Sequence, residues 1–257
     1  MNLNPLYMIL IFVYGTIFGS FYNVVGDRLP NKKSIIKPRS HCPVCGHILT
    51  PFELIPVLSY VFQLGKCKNC KTRIPIFHPL YELFVGALFL LCYVAFGLSW
   101  ELLIALTFIS MLAIQLVSDL NYFIILDEII VVFGILLLIE IFFIHGLESF
   151  LYSLLSGVIC FIIMYSIKLM GDAIFKKESM GGGDIKLMFV IGVVLGWKVG
   201  LLSIFLGSLI GLPISVVVLR FKKTNIIPFG PLLSMGAIIL YLTKFDFDAF
   251  ISILLHK

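Results

Sequence analysis

The chain has 257 residues, of which 60% are hydrophobic and 13% charged, and its formal net charge is +5. Soluble globular proteins are about 45–50% apolar, so this composition, with a mean hydropathy of +1.10, excludes an ordinary soluble enzyme or binding domain. No small-residue cleavage site follows the first apolar run, 6–25. We therefore interpret that run as a retained helix and not as a cleaved signal.

Apolar stretches close to the length of about 17 to 25 residues that crosses a bilayer recur along the whole chain. They lie at 6–25, 80–98, 101–118, 128–145, 149–169, 185–197, 199–219 and 231–250. We therefore expect an all-α polytopic membrane protein with about eight transmembrane helices and a cysteine-rich cytoplasmic loop between helices 1 and 2. This divides the chain into a transmembrane helix at 1–25, a cysteine-rich loop domain at 26–79 and a membrane core at 80–257.

Lys and Arg residues are distributed unevenly among the predicted loops. The segment 26–79 contains nine of them, 168–186 contains four and 220–223 contains three, which is 16 of the 19 in the chain. Because positive residues accumulate in cytoplasmic loops, we expect these loops inside and both termini outside. The basic loops suit anionic lipid head groups. We therefore expect membrane lipids as partners, and no nucleic acid.

The segment 180–187 reads Met-Gly-Gly-Gly-Asp-Ile-Lys-Leu and places Asp184 directly before an apolar span. Because glycine has no Cβ, this run can adopt positive φ and allows a close approach by another chain. Asp184 would lie in the first turn of the next helix, where the helix dipole favours a carboxylate. Acidic groups at membrane depth usually serve a function. The alternative is a flexible turn with a capping aspartate.

A second acidic loop, 118–128, is predicted on the same side of the membrane and contains Asp119 and Asp127. Two aspartates within hydrogen-bonding distance cannot both ionise easily, so one stays protonated while the other can take a proton from water. Such a pair can hydrolyse a peptide bond without a metal. The spacing leaves open which of the two pairs with Asp184. Asp119 could instead be a solvated helix end, and Asp127 a helix cap.

The loop after the first helix contains two Cys-x-x-Cys pairs separated by 21 residues. The four cysteines are Cys42, Cys45, Cys67 and Cys70. This pattern is typical of a tetrahedral thiolate site for structural zinc. With four protein ligands the metal would have no open position, so we expect it to stabilise the loop and not to take part in hydrolysis. The alternative is four reduced thiols or two redox pairs.

Four segments, in this order, resemble the bacterial type IV prepilin peptidases, which are membrane aspartic peptidases with a Gly-x-Gly-Asp motif. They are the first-helix segment 19–30, the cysteine loop with Ile55-Pro56 and Ser59-Tyr60, the segment 180–187, and Pro-Phe-Gly-Pro at 228–231 before the last helix. The resemblance implies that Asp119 and Asp184 are the catalytic pair. One departure from the family is Leu126, which occupies the place of a proline before Asp127.

Members of this family remove a short basic leader from prepilin or pseudopilin precursors after a glycine, at the cytoplasmic face of the bacterial inner membrane. The hydrophobic segment of the substrate stays in the membrane. Many members then methylate the new amino terminus with S-adenosylmethionine. The resemblance therefore implies a bifunctional peptidase and N-methyltransferase. The methylation rests on the resemblance alone, because the sequence contains no glycine-rich nucleotide loop that would indicate where the cofactor binds.

Two other classes of protein fit parts of the sequence. An ion-coupled transporter would use acidic groups near the middle of its spans. Glu140 suits that position, whereas Asp119 and Asp184 lie at predicted helix ends. In the third interpretation, the cysteine loop binds a partner and the membrane part is an inert anchor.

Overall fold

The computed structural model of the protein describes residues 4–222, 228–248 and 252. Within these residues the fold is all-helical, and its only β contacts are two isolated bridges. The helices are α1 (Pro5–Arg28), α2 (Leu58–Phe62), α3 (Phe77–Phe96), α4 (Trp100–Tyr122), α5 (Asp127–Phe175), α6 (Gly182–Lys222) and α7 (Gly230–Leu242), with a short 3-10 helix at Pro51–Leu54. This confirms the predicted all-α class.

Five of the described helices, α1, α3, α4, α5 and α6, are long and apolar enough to cross a membrane, and α7 is a shorter apolar helix. Many large apolar side chains on these helices are exposed, among them Ile9 on α1, Phe143 on α5 and Phe205 on α6. So much exposed apolar surface is unfavourable in water and is matched by lipid. The chain is therefore a multi-pass membrane protein.

Helices α5 and α6 contain 49 and 41 residues, whereas about 20 residues cross a bilayer. Each contains one residue with non-helical backbone angles. This is Gly146 in α5, with φ 81° and ψ −177°, and Gly196 in α6, with φ 76° and ψ 161°. Glycine adopts positive φ without steric cost. The two breaks lie at the ends of the predicted spans 128–145 and 185–197.

The predicted helix bounds differ from the observed ones mainly at the ends. The apolar run 101–118 stops short of the end of α4 at Tyr122, because the backbone continues for one more turn through polar residues. The short α2 and the 3-10 helix were not predicted, since helices of this length carry no periodic signal. The predicted helix 231–250 and the basic turn 220–223 include residues 249, 250 and 223, which lie outside the described residues.

The chain divides into two compact units, Met1–Leu102 and Leu103–Lys257. In the first unit α1 packs along α3, and in the second α6 packs against both α5 and α7. Glu140, the acid near the middle of a predicted span, is buried in the second unit. Its Oε1 accepts a hydrogen bond of 2.8 Å from the hydroxyl of Thr107 on α4.

Candidate functional site

Asp184 lies in the first turn of α6, as predicted from the sequence. The residue is only 8% exposed, and its Oδ1 atom is buried without a hydrogen-bond partner among the described residues. Burying a polar oxygen without a partner costs about 1–3 kcal/mol. A carboxyl group kept in such a place at the end of a membrane helix is typical of a functional group.

Asp119 lies in the last turn of α4 and is 6% exposed. The backbone N–H of Gly230, the first residue of α7, donates a hydrogen bond to its carboxyl group. A Cβ atom on residue 230 would lie 2.5 Å from Oδ2 of Asp119. Only glycine therefore leaves room for this acid. The segment 228–231, which carried no assigned role in the sequence, supplies a backbone donor to Asp119.

The carboxyl groups of Asp119 and Asp184 lie close enough to interact electrostatically. The side chain of Ile125, in the loop between α4 and α5, contacts two glycines. One is Gly183, which precedes Asp184, and the other is Gly230, which binds Asp119. A Cβ on Gly183 would lie 2.6 Å from Cβ of Ile125, and a Cβ on Gly230 would lie 3.0 Å from its Cδ1. The ends of α4, α6 and α7 therefore meet at one place, with both acids buried there.

Two side chains of α4 hold the loop that carries Ile125. The amide of Gln115 donates to the carbonyl of Leu126 and accepts from the N–H of Leu126, each at 2.8 Å. The hydroxyl of Ser118 donates to the carbonyl of Ile124 at 2.5 Å. The sequence assigned no role to these two residues. The one signal that could have found them is a polar amide, Gln115, inside an otherwise apolar run.

Asp127, the other candidate partner from the acidic loop, begins α5. Its Oδ2 lies 2.6 Å from Nζ of Lys186, and both side chains are about half exposed, 57% and 48%. Asp127 is thus paired with a cation at the surface. Of the two candidates, the acid that interacts with Asp184 is the buried one, Asp119.

The three glycines before Asp184 provide space and not unusual backbone angles. None of them uses the positive φ that glycine allows. A Cβ on Gly182 would meet nothing within 4 Å, and the nearest atom to a Cβ on Gly181 would be Oδ2 of Asp184 at 3.8 Å. The approach to Asp184 beside these two glycines is therefore open, which leaves room for an extended peptide.

The four loop cysteines form one cluster, in which the sulfur atoms all lie within 4.8 Å of one another. The Sγ–Sγ distance is 3.8 Å between Cys42 and Cys70 and 4.0 Å between Cys45 and Cys67. Four sulfurs placed tetrahedrally at about 2.3 Å from a zinc ion would be about 3.8 Å apart. All four thiols are free of disulfides. The cluster therefore fits a tetrahedral metal ion.

The two cysteine pairs have the same local backbone. In each, the N–H of the first cysteine donates to the carbonyl five residues later, and the N–H four residues later donates back to the first cysteine. The residue four positions after the first cysteine has a positive φ, 71° for Gly46 and 60° for Lys71. Hydrogen bonds with Thr72 lower the pKa of the Cys70 thiol to about 6. This favours the thiolate, which is the form that binds metals.

Two family descriptions match this chain, the Bacterial Peptidase A24 N-terminal domain at residues 13–96 and the Type IV leader peptidase family at residues 105–216. A Bacillus subtilis protein named prepilin leader peptidase/N-methyltransferase is 40% identical over 236 residues, covering 91% of this chain and 93% of that protein.

Proteins with the same name from Myxococcus xanthus and Pseudomonas aeruginosa are also similar. The first is 35% identical over 84% of this chain and 64% of its own length. The second is 33% identical over 86% of this chain and 85% of its own length. No solved structure gives a significant match. The resemblance read from the motifs is thus confirmed, and this chain belongs to the type IV leader peptidase family.

Proposed function

We propose that this protein is a membrane aspartic endopeptidase that removes the basic leader of prepilin-like precursors after a glycine, with Asp119 and Asp184 as its catalytic pair. The observation that carries the proposal is the burial of these two acids together, beside a glycine-lined approach. The relatives named prepilin leader peptidase/N-methyltransferase support the substrate class. Neither the matched families nor the relatives support the ion-coupled transporter.

The chemistry follows from two carboxyl groups that share one proton. The ionised carboxylate removes a proton from a water molecule, which attacks the carbonyl carbon of the scissile bond. The protonated partner gives its proton to the carbonyl oxygen, and the acid that took the proton from water passes it to the amide nitrogen. The tetrahedral intermediate then expels the amine while one of its hydroxyl groups returns a proton to the pair. The N–H of Gly230 orients the Asp119 carboxyl group. The open side of Asp184 at Gly181 and Gly182 admits the substrate backbone.

The test is mass spectrometry of a peptide with a basic leader, a Gly-Phe junction and an apolar segment, after incubation with the protein in lipid. We expect cleavage at the junction, and at least about a thousandfold loss of rate in both Asp119→Asn and Asp184→Asn. Asp127→Asn is the matched control, because it removes a half-exposed surface ion pair. Normal cleavage by a folded Asp184→Asn protein would refute this mechanism.

The second proposed activity is methylation of the new amino terminus, in line with the names of the relatives. S-adenosylmethionine supplies an electrophilic methyl group on a sulfonium, which a neutral amine can attack. The same peptide assay tests it. With S-adenosylmethionine present, the cleaved product should gain the mass of one methyl group, and no gain would reject the activity.

For the cysteine cluster we infer zinc, since four thiolates in tetrahedral spacing are the ligands of structural zinc sites. The zinc would be held by Cys42, Cys45, Cys67 and Cys70 and would stabilise the loop domain at 26–79. The peptidase core at 80–257 would be a separate domain. Elemental analysis of the purified protein tests this. One zinc per chain is expected, and full titration of four thiols without metal would reject it.

We further infer eight membrane crossings in the bacterial inner membrane, with the acids at the cytoplasmic face. The support is the break at Gly146 and at Gly196, together with the basic loops. Labelling with an impermeant maleimide tests the topology. Glu148→Cys should be labelled from outside intact cells, and Glu178→Cys only after permeabilisation. The reverse pattern would contradict the orientation.

A further inference from the structure

A cavity of about 370 Å³ lies within the first unit, between the cysteine loop and helices α1 and α3. This size is within the range of pockets that enclose small ligands, about 300–1,000 Å³. Its polar lining comes from all three parts. The residues that matter here are Asn23 on α1, Tyr60 and Arg73 in the loop, and Glu82 on α3.

Glu82 is a buried acid, although it lies in an apolar helix. Its Oε2 accepts a hydrogen bond of 2.8 Å from the backbone N–H of Val57. Val57 has φ 61° and ψ −53°, and positive φ is a true outlier for a β-branched residue. Strain of this kind is concentrated at ligand sites and active sites. The carboxylate that lines the cavity therefore also binds the strained turn.

The charges of the cavity select the class of ligand. Two carboxylates, Glu53 and Glu82, line it and disfavour a nucleotide phosphate, but they favour a cation. Arg73 on the same lining can bind a carboxylate through two parallel hydrogen bonds. A ligand with a positive centre and a carboxylate fits both. The ring of Tyr60 adds an aromatic surface on which a flat base can stack.

We propose that this cavity binds S-adenosylmethionine, with its sulfonium and ribose facing Glu82, its carboxylate at Arg73 and its adenine against Tyr60. The proposal rests on the N-methyltransferase activity inferred above and assigns the place of its methyl donor. Cys42 and Cys67, the first cysteine of each pair, also line the cavity. The cluster that folds the loop therefore also shapes the cofactor site.

The test is equilibrium dialysis of radiolabelled S-adenosylmethionine against the full-length, zinc-loaded protein in lipid nanodiscs. Glu82→Gln keeps an oxygen acceptor for Val57 but removes the charge, and we expect it to weaken the affinity at least tenfold. Glu148→Gln is the matched control, because Glu148 is an exposed acid on α5 in the other unit. It should bind the cofactor as the unaltered protein does.

A second variant, Ser20→Leu, fills the cavity from α1 with an apolar side chain and should also abolish binding. The zinc content and helicity of each variant are measured first. Unchanged binding in both variants, with methyl transfer intact, would overturn the cavity assignment and leave the methyltransferase standing. If the unaltered protein neither binds the cofactor nor methylates the cleaved peptide, the methyltransferase proposal itself fails, and the cavity assignment with it.

Discussion

Gln115 and Leu126 form a reciprocal pair, in which the side-chain amide of the first binds both the N–H and the carbonyl of the second, each at 2.8 Å. Gln115 is buried on α4 and Leu126 precedes α5. Leu126 occupies the place at which the family pattern has a proline, a residue without an N–H. In this chain, two hydrogen bonds therefore hold the loop that a proline ring would stiffen.

The first prediction concerns this pair. Gln115→Leu leaves the buried N–H of Leu126 without a partner, at about 1–3 kcal/mol. The carbonyl of Leu126 loses one of its two donors and keeps the N–H of Ile130 at 3.2 Å. We expect a lower thermal midpoint and at least tenfold slower peptide cleavage, because the loop also positions Ile125 against Gly183 and Gly230. Thermal unfolding and cleavage rates measure the two effects. A variant as stable and active as the unaltered protein would contradict the role of Gln115.

A double-mutant cycle with Leu126→Pro sharpens the first prediction. The φ of Leu126 is −80°, close to the value of about −65° that proline requires. In the unaltered chain the proline removes the N–H that donates to Gln115, so a hydrogen bond is lost. In Gln115→Leu that N–H already has no partner, so its removal costs no hydrogen bond. Leu126→Pro should therefore cost less stability in the Gln115→Leu background. Equal costs in the two backgrounds would mean that the pair is not coupled.

The second prediction compares adjacent glycines. Gly183→Ala would place a Cβ 2.6 Å from Cβ of Ile125, whereas the same atom on Gly182 meets nothing within 4 Å. Overpacking of this kind costs about 1–3 kcal/mol and displaces the loop at the acids. We expect Gly183→Ala to lose most of its cleavage rate and Gly182→Ala to keep it. Similar rates for the two variants would count against the contact with Ile125.

The third prediction concerns Gly230. In Gly230→Ala, the new Cβ would lie 2.5 Å from Oδ2 of Asp119, so the acid must move. A displaced catalytic group slows the chemical step more than it weakens substrate binding. Steady-state kinetics should therefore show a large fall in kcat with little change in KM. A rise in KM at unchanged kcat would instead place Gly230 in substrate binding.

The fourth prediction concerns the cysteine cluster. Cys67→Ser should release the zinc and make the loop domain sensitive to trypsin at its many lysines and arginines. Helicity by circular dichroism should change little, because the loop contains only the five residues of α2 and the four of the 3-10 helix. Cys92→Ala, which alters a buried thiol on α3, is the control and should retain zinc. Loss of zinc from the control alone would exclude this cluster as the site.

Short-range patterns in the sequence were enough for several features. The apolar runs predicted the membrane helices, because a bilayer requires about 20 consecutive apolar residues whatever the helices pack against. The spacing of the cysteines predicted their cluster, since two residues between ligands suit one tight turn. The position of Asp184 in the first turn of α6 followed from the start of the next apolar run. These features depend on neighbours in the chain.

Which acid lies near Asp184 depended on tertiary structure. Asp119 and Asp127 are the same type of residue and lie eight residues apart, so spacing could not separate them, and the resemblance favoured Asp119. In the structure Asp127 forms an ion pair with Lys186, while Asp119 is buried near Asp184. The choice depends on which atoms meet after α4, α6 and α7 have packed.

The sequence by itself determined an all-helical membrane protein with one glycine-flanked acid and one cluster of four cysteines. Tertiary structure decided that the missing Cβ of Gly183 leaves room for Ile125, and that of Gly230 for Asp119. It also decided that Gln115 binds the backbone of Leu126. The physical reason is that composition and spacing specify hydrophobic burial and local turns. Steric contact and hydrogen bonding between distant residues exist only once the helices are in place.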